Sequence, residues 1–139
     1  MLALFALQSG EPDNVALGPA EGQPPGSVVY RASDHVFVIW REDGQPLVLA
    51  DLDPHSPPGE AACRVTFRPD LGPAGGQGRF FDVCSKAEYD LDGRGLQGDG
   101  LDLRRIPFDI DEQGRITVRP EELAPEASGQ RQFRGSDAA

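Results

Sequence analysis

The sequence predicts an all-β domain, and three observations carry that expectation. Glycine and proline are abundant, 17 and 13 of 139 residues, and helix interiors tolerate neither. Short runs rich in β-branched and aromatic residues recur between clusters of turn-forming residues. No stretch repeats its apolar residues at a convincing helical period, the one candidate being Glu121–Ala127. A chain of this length makes one domain and can bury a working core.

The elements follow in order. Glu11-Pro-Asp-Asn14 and Gly22-Gln-Pro-Pro-Gly26 are breaker clusters, leaving room for one short strand near Val15–Leu17. Ser27-Val-Val-Tyr-Arg31 and His35-Val-Phe-Val-Ile-Trp-Arg41 read as strands, with His35 inside the second. Asp43-Gly44 tips a hairpin, and Pro46-Leu-Val-Leu-Ala-Asp51 returns from it. A loop over Asp53–Ala62 leads to the short strand Cys63–Phe67, and the loop Pro69–Gly78 to the strand Arg79–Val83. A second loop, Cys84–Glu88, follows. Tyr89–Arg94 and Ile106–Ile110 flank the glycine-rich turn Gly95–Gly100. Asp111-Glu-Gln-Gly114 turns the chain into a last strand, Arg115–Val118, and a polar tail begins at Arg119. The organisation is an N-terminal extension over 1–14, a domain over 15–118 and a C-terminal tail over 119–139.

Thirteen basic residues against 23 acidic give a formal net charge of −10. That balance opposes nucleic acid and anionic membrane surfaces, which reward clustered Lys and Arg, and suits a protein partner. The apolar start, Met1–Leu7, is too short to span a bilayer and lacks the basic stretch of a secretory signal. Three readings of it stay open: the stub of an anchor, a strip that docks on a partner, or a terminus packing on its own domain. No Ser-His-Asp order, phosphate-cradling glycine loop or Cys-x-x-Cys pair is present, so no enzyme is expected. Asp90, Asp92, Asp99, Asp102, Asp109 and Asp111 show no calcium-loop spacing.

Tyr89-Asp-Leu-Asp-Gly-Arg94, Leu96-Gln-Gly98 and Leu103-Arg-Arg-Ile-Pro-Phe-Asp-Ile-Asp-Glu-Gln-Gly-Arg-Ile-Thr-Val118 carry a broader likeness. Over about Val15–Val118 the chain resembles the Rieske iron–sulfur family in its cytochrome bc form. The resemblance implies small antiparallel sheets and two loops forming a cluster-binding subdomain. In the family the boxes Cys-x-His-x-Gly-Cys and Cys-x-Cys-His-Gly-Ser supply two thiolates to one iron and two imidazoles to the other. The remaining cysteines join the loops.

Aligned on Tyr89-Asp90, Asp82 stands at a ligand cysteine and Ser85 at a ligand histidine. In the first box Asp53 replaces the other ligand cysteine and His55 keeps its ligand position. Cys63 and Cys84 match the disulfide pair, Cys63 displaced by an insertion around Pro57–Ala61. Carboxylates are poor substitutes for sulfur on iron. The resemblance therefore implies a vacated cluster site at Asp53, His55, Asp82 and Ser85, clasped by Cys63–Cys84, with no 2Fe-2S cofactor.

Each residue also has a plainer reading. The cysteines can be two buried thiols, and Asp53, His55, Asp82 and Ser85 a hydrogen-bonded plug. Lys86, the single lysine, is expected solvated or paired with Asp82 or Glu88, and Arg104 and Arg105 at a solvated strand end. Gly98-Asp-Gly-Leu101 stands where the family has a proline-rich shielding loop.

The leading expectation is a non-redox, accessory subunit of a membrane-associated electron-transfer complex. One alternative is an atypical 2Fe-2S electron carrier. Another is a mononuclear metal protein using Asp53, His55 and Asp82. The cysteine pair favours the outer, periplasmic face of a membrane, and the missing export signal the cytoplasm.

Overall fold

The computed structural model describes residues 14–55, 63–74 and 76–123. The apolar start, the insertion around Pro57–Ala61 and most of the C-terminal tail lie outside them. Nine strands run in chain order: β1 (Val15–Pro19), β2 (Val28–Arg31), β3 (Val36–Trp40), β4 (Pro46–Ala50), β5 (Val65–Arg68), β6 (Arg79–Asp82), β7 (Glu88–Tyr89), β8 (Asp109–Ile110) and β9 (Arg115–Val118). Two 3-10 turns, Ala32–Asp34 and Pro120–Leu123, complete the regular structure, with no α-helix among the described residues. The helix expected at Glu121–Ala127 is thus a 3-10 turn as far as Leu123, and its remainder lies outside the described residues.

The strands form three antiparallel sheets of three, in the orders β1-β9-β8, β2-β3-β4 and β5-β6-β7. β3 and β4 pair in unbroken register, Val36 opposite Ala50 through Trp40 opposite Pro46, and every residue of both is buried. Their side chains alternate between two cores because successive residues of a strand face opposite sides. Val36, Val38, Trp40, Val48 and Ala50 face Leu17, Ala20, Ile106, Ile116 and Val118. Phe37, Ile39, Leu47 and Leu49 face Val65, Phe80, Ala87, Tyr89 and Leu103. The central sheet is therefore sandwiched between the other two, which explains why its strands read as continuous apolar runs. Each large side chain so buried contributes about 1.5–3 kcal/mol.

The turns behave as their residues dictate. Gly44 takes φ 85° at the tip of the β3–β4 hairpin, which closes by Arg41 N–H donating to Gln45. Gly78 takes φ 98°, and a Cβ there would stand 2.8 Å from Pro69 Cα, so glycine alone fits where the loop meets β6. The glycine-rich turn Gly95–Gly100 does not join two paired strands, since β7 pairs with β6 while β8 pairs with β9.

His35 is a correction to the sequence expectation. It lies before β3, not within it, in the left-handed conformation with φ 58° that ends the turn Ala32–Asp34. Its ring reaches the buried Asp51 carboxylate at 3.3 Å. Lys86 is exposed, as one of its expected readings had it; its ammonium donates to the Val83 carbonyl at 3.2 Å, and its backbone is left-handed at φ 67°. Arg104 pairs with Glu122 across the 3-10 turn, and Arg105 donates to the Asp92 carbonyl.

Candidate functional site

Two chain segments converge at one end of the β5-β6-β7 sheet. The first leaves β4 through Asp51 and Leu52, which bridges to Arg64, and reaches Asp53, Pro54 and His55. The second leaves β6 at Asp82 and returns into β7 through a tight turn. That turn is closed by Lys86 N–H donating to the Asp82 carbonyl at 2.7 Å and by Asp82 N–H donating to Ala87. Asp53 N–H donates to the Cys63 carbonyl at 3.1 Å, which seats the first loop beside the segment that leads into β5.

A disulfide joins the segments, Cys63 to Cys84, with 6.3 Å between their Cα atoms and the two cysteines 21 positions apart in sequence. The pairing implied by the family resemblance is present, and the reading as two separate thiols is not.

Asp53, His55, Asp82 and Ser85 meet beside this clasp. Asp53 and Asp82 are buried, at 4% and 0% exposure. Each heads a small turn: Asp53 Oδ1 accepts from His55 N–H at 2.7 Å, and Asp82 Oδ1 from Cys84 N–H at 2.9 Å. The Ser85 hydroxyl donates to Asp82 Oδ2 at 3.0 Å. A carboxylate oxygen of Asp53 and one of Asp82 lie within 4.8 Å of each other. Burial drives both carboxyls up; Asp82 stays raised because the Asp53 charge adds to that effect. For Asp53 the effects of Asp82 and of the His55 bonds outweigh burial and hold it below the usual carboxylate range.

His55 spans the site. Its Nδ1 lies 2.9 Å from Asp53 Oδ1, and its Nε2 2.8 Å from Asp99 Oδ2. An imidazole held between two carboxylates donates from both nitrogens when it carries a proton. Asp99 first, and then Asp53, accordingly raise His55 above its ordinary value against a smaller opposing effect of burial. The Tyr89 hydroxyl stands 3.3 Å from Nδ1. Burial and the surrounding carboxylates, led by Asp53, push that phenol upward.

Asp99 and Tyr89 are site residues that sequence reasoning missed. Tyr89 served only to align the second box, and Asp99 was one of several loop acids. Gly98–Leu101 departs from the family's shielding loop in sequence, yet Asp99 brings it against His55 all the same.

A third buried carboxylate, Asp51, lies two residues upstream of Asp53 and was also missed. It accepts from Tyr30 at 2.6 Å and Arg64 at 2.8 Å, and its Oδ2 lies 3.3 Å from His35 Nδ1. Strand β2, the start of β3 and the approach to β5 are thereby tied to one carboxylate.

As an inventory of donors, the site offers one imidazole, His55, and two carboxylates, Asp53 and Asp82, each with an atom within 4.8 Å of the others. Both cysteine sulfurs are committed to the clasp. His35, the other histidine of the chain, is engaged with Asp51. Among the described residues no helix is long and apolar enough to cross a membrane.

No family model matches the chain, and no curated protein matches it. Among solved structures, it is similar to one titled as the small subunit of an NADH-dependent nitrite reductase from Mycobacterium tuberculosis. The identity is 21% and the TM-score 0.40, over 76% of this chain and 92% of that one.

Proposed function

We propose that this chain is a Rieske-like domain without an iron–sulfur cluster, acting as an accessory, non-catalytic subunit of a membrane-associated electron-transfer complex. One observation carries the reading. The four positions expected to hold a cluster converge beside a disulfide, and their polar groups are engaged with one another and with Asp99. A 2Fe-2S cluster of this type takes two thiolates and two imidazoles. Here Asp53 and Asp82 stand at the thiolate positions and Ser85 at one imidazole position, so the residues present do not fit the group. Carboxylate, hydroxyl and imidazole instead form a plug that ties the loop after β4 to the turn after β6. Such a plug, with the clasp, keeps the shape of the loop end, which is what docking on a partner requires. An accessible disulfide suits an oxidising compartment, in keeping with the outer face of a membrane.

The test is the full chain purified without oxygen, followed by visible absorption, iron and acid-labile sulfide. A folded, colourless protein with neither iron nor sulfide is expected. Stoichiometric iron with labile sulfide overturns the reading and makes the chain an electron carrier.

A further inference from the structure

Beside the plug lies a second set of donors that only the oxidised clasp conceals. The Cys63 and Cys84 sulfurs and an Asp82 carboxylate oxygen all lie within 4.8 Å of one another. Asp82 belongs also to the set with Asp53 and His55, so the two groups share one buried carboxylate. Cys84 is exposed and Cys63 half-buried, so a soluble thiol can reach the bond.

We infer that the Cys63–Cys84 clasp is a redox gate over a divalent-metal site, in which Cys63, Cys84 and Asp82 bind a zinc-type ion once the disulfide is reduced. The inference goes beyond the accessory-subunit reading and holds whether or not the domain docks on a complex. A dithiol reductant supplies the two electrons: the protein S–S bond breaks, two protein thiols form, and the dithiol leaves as a disulfide. The metal ion then displaces the two thiol protons to solvent and takes both sulfurs as thiolates.

Geometry supports the second state. Tetrahedral zinc holds sulfur at about 2.3 Å, which sets two sulfurs about 3.7 Å apart. With the two Cα atoms 6.3 Å apart, rotation of the side chains provides that spacing without moving the backbone. The backbone is held independently of the disulfide. Cys63 is kept by its carbonyl accepting from Asp53 N–H, and Cys84 by its N–H donating to Asp82 Oδ1. Asp82 has a second oxygen, Oδ2, which accepts from Ser85 and can share a lone pair with a cation.

Electrostatics and ligand chemistry favour the same occupant. Reduction places two sulfurs next to the buried pair Asp53 and Asp82, and a divalent cation offsets the negative charge that accumulates there. Two thiolates and a carboxylate select a borderline-soft ion such as zinc over calcium or magnesium. The fourth position goes to water or to His55, which already converges on Asp82.

The test uses the full chain with cobalt(II) as a spectroscopic stand-in for zinc. The protein is reduced with dithiothreitol, desalted under argon and titrated beside an untreated sample. The reduced chain is expected to keep its sheet circular dichroism and bind one cobalt per chain. Binding should bring a sulfur-to-cobalt charge-transfer band and tetrahedral d–d bands, all lost on adding zinc; the oxidised chain should give no charge-transfer band. In the reduced chain Cys84→Ser should halve that band. Because that substitution removes the clasp, alkylation of the unaltered reduced chain gives a second readout. Zinc should slow iodoacetamide at both thiols by about tenfold or more, since only an unbound thiolate attacks. A reduced chain that unfolds, that binds cobalt without the charge-transfer band, or whose thiols zinc does not protect overturns the inference.

Discussion

Asp51 shows what a single carboxylate does here. It is fully buried, yet Tyr30, Arg64 and His35, from three different segments, all converge on it. Hydrogen bonds to a charged group are worth about 1.5–3 kcal/mol, and Arg64 and Tyr30 can turn to water if the carboxylate goes. Asp51→Ala is therefore expected to cost about 2–3 kcal/mol in urea unfolding. It should also move Tyr30. Desolvation and the Asp51 carboxylate push that phenol up to about 12, and ultraviolet titration of tyrosinate should find it nearer the ordinary value in the variant. His55 makes a pH-dependent prediction. Its folded-state value is raised, so its contribution is fully present below about 6.5, the ordinary imidazole value, and fades as pH rises through the raised one. Asp53 and Asp99 are lowered, so their contribution fades instead as pH falls through their folded values. The stability gap between the native chain and His55→Gln should therefore peak at about pH 5–6 and narrow on both sides. A gap that widens steadily above pH 7 contradicts the assigned contacts.

The strands were largely readable in the chain because β-branched and aromatic runs between turn residues leave little else to form. β3 and β4 read as strands on composition alone, whereas the burial of both their faces rests on two cores of distant residues that composition does not show. What escaped was whatever depends on backbone sign or on distant contacts. His35 looks like a strand residue by its apolar neighbours, but a left-handed φ lifts it out of the ladder and turns it to Asp51. The positions of Asp53, His55, Asp82 and Ser85 were readable through the family resemblance. Asp99 was not, since it meets His55 across 44 positions of sequence and no local pattern marks such a pair. The loop pair itself carries a prediction about its clasp. By the chain-entropy account, closing a loop of about 20 residues stabilises by about 3 kcal/mol. Cys63→Ser with Cys84→Ser should lose roughly that amount in denaturant unfolding without added metal. A loss near zero would mean that the plug alone holds the two loops.

The three sheets are not equivalent in what secures them. Strands β3 and β4 of the central sheet are buried on both faces, and the β1-β9-β8 sheet packs on them through Leu17, Ile116 and Val118. The β5-β6-β7 sheet packs on the opposite face through Val65, Phe80 and Tyr89, and its far end consists of the two loops joined by the disulfide. β7 contributes only two residues to its ladder, as β8 does to its own, but among the described residues only this sheet has its loop end joined by a disulfide. Backbone amides open in cooperative units whose cost follows local burial and tethering. Amides of β3 should therefore exchange only through global unfolding. Those of β5 to β7 should open at lower free energy, and reduction of Cys63–Cys84 should lower it further while leaving β1 and β9 protected. Hydrogen exchange on oxidised and reduced protein measures this directly. Equal loss of protection in all three sheets on reduction would mean that the disulfide secures the whole domain and not one layer. Loss confined to β5 to β7, restored by zinc, would tie the proposed metal site to the same layer as the two loops.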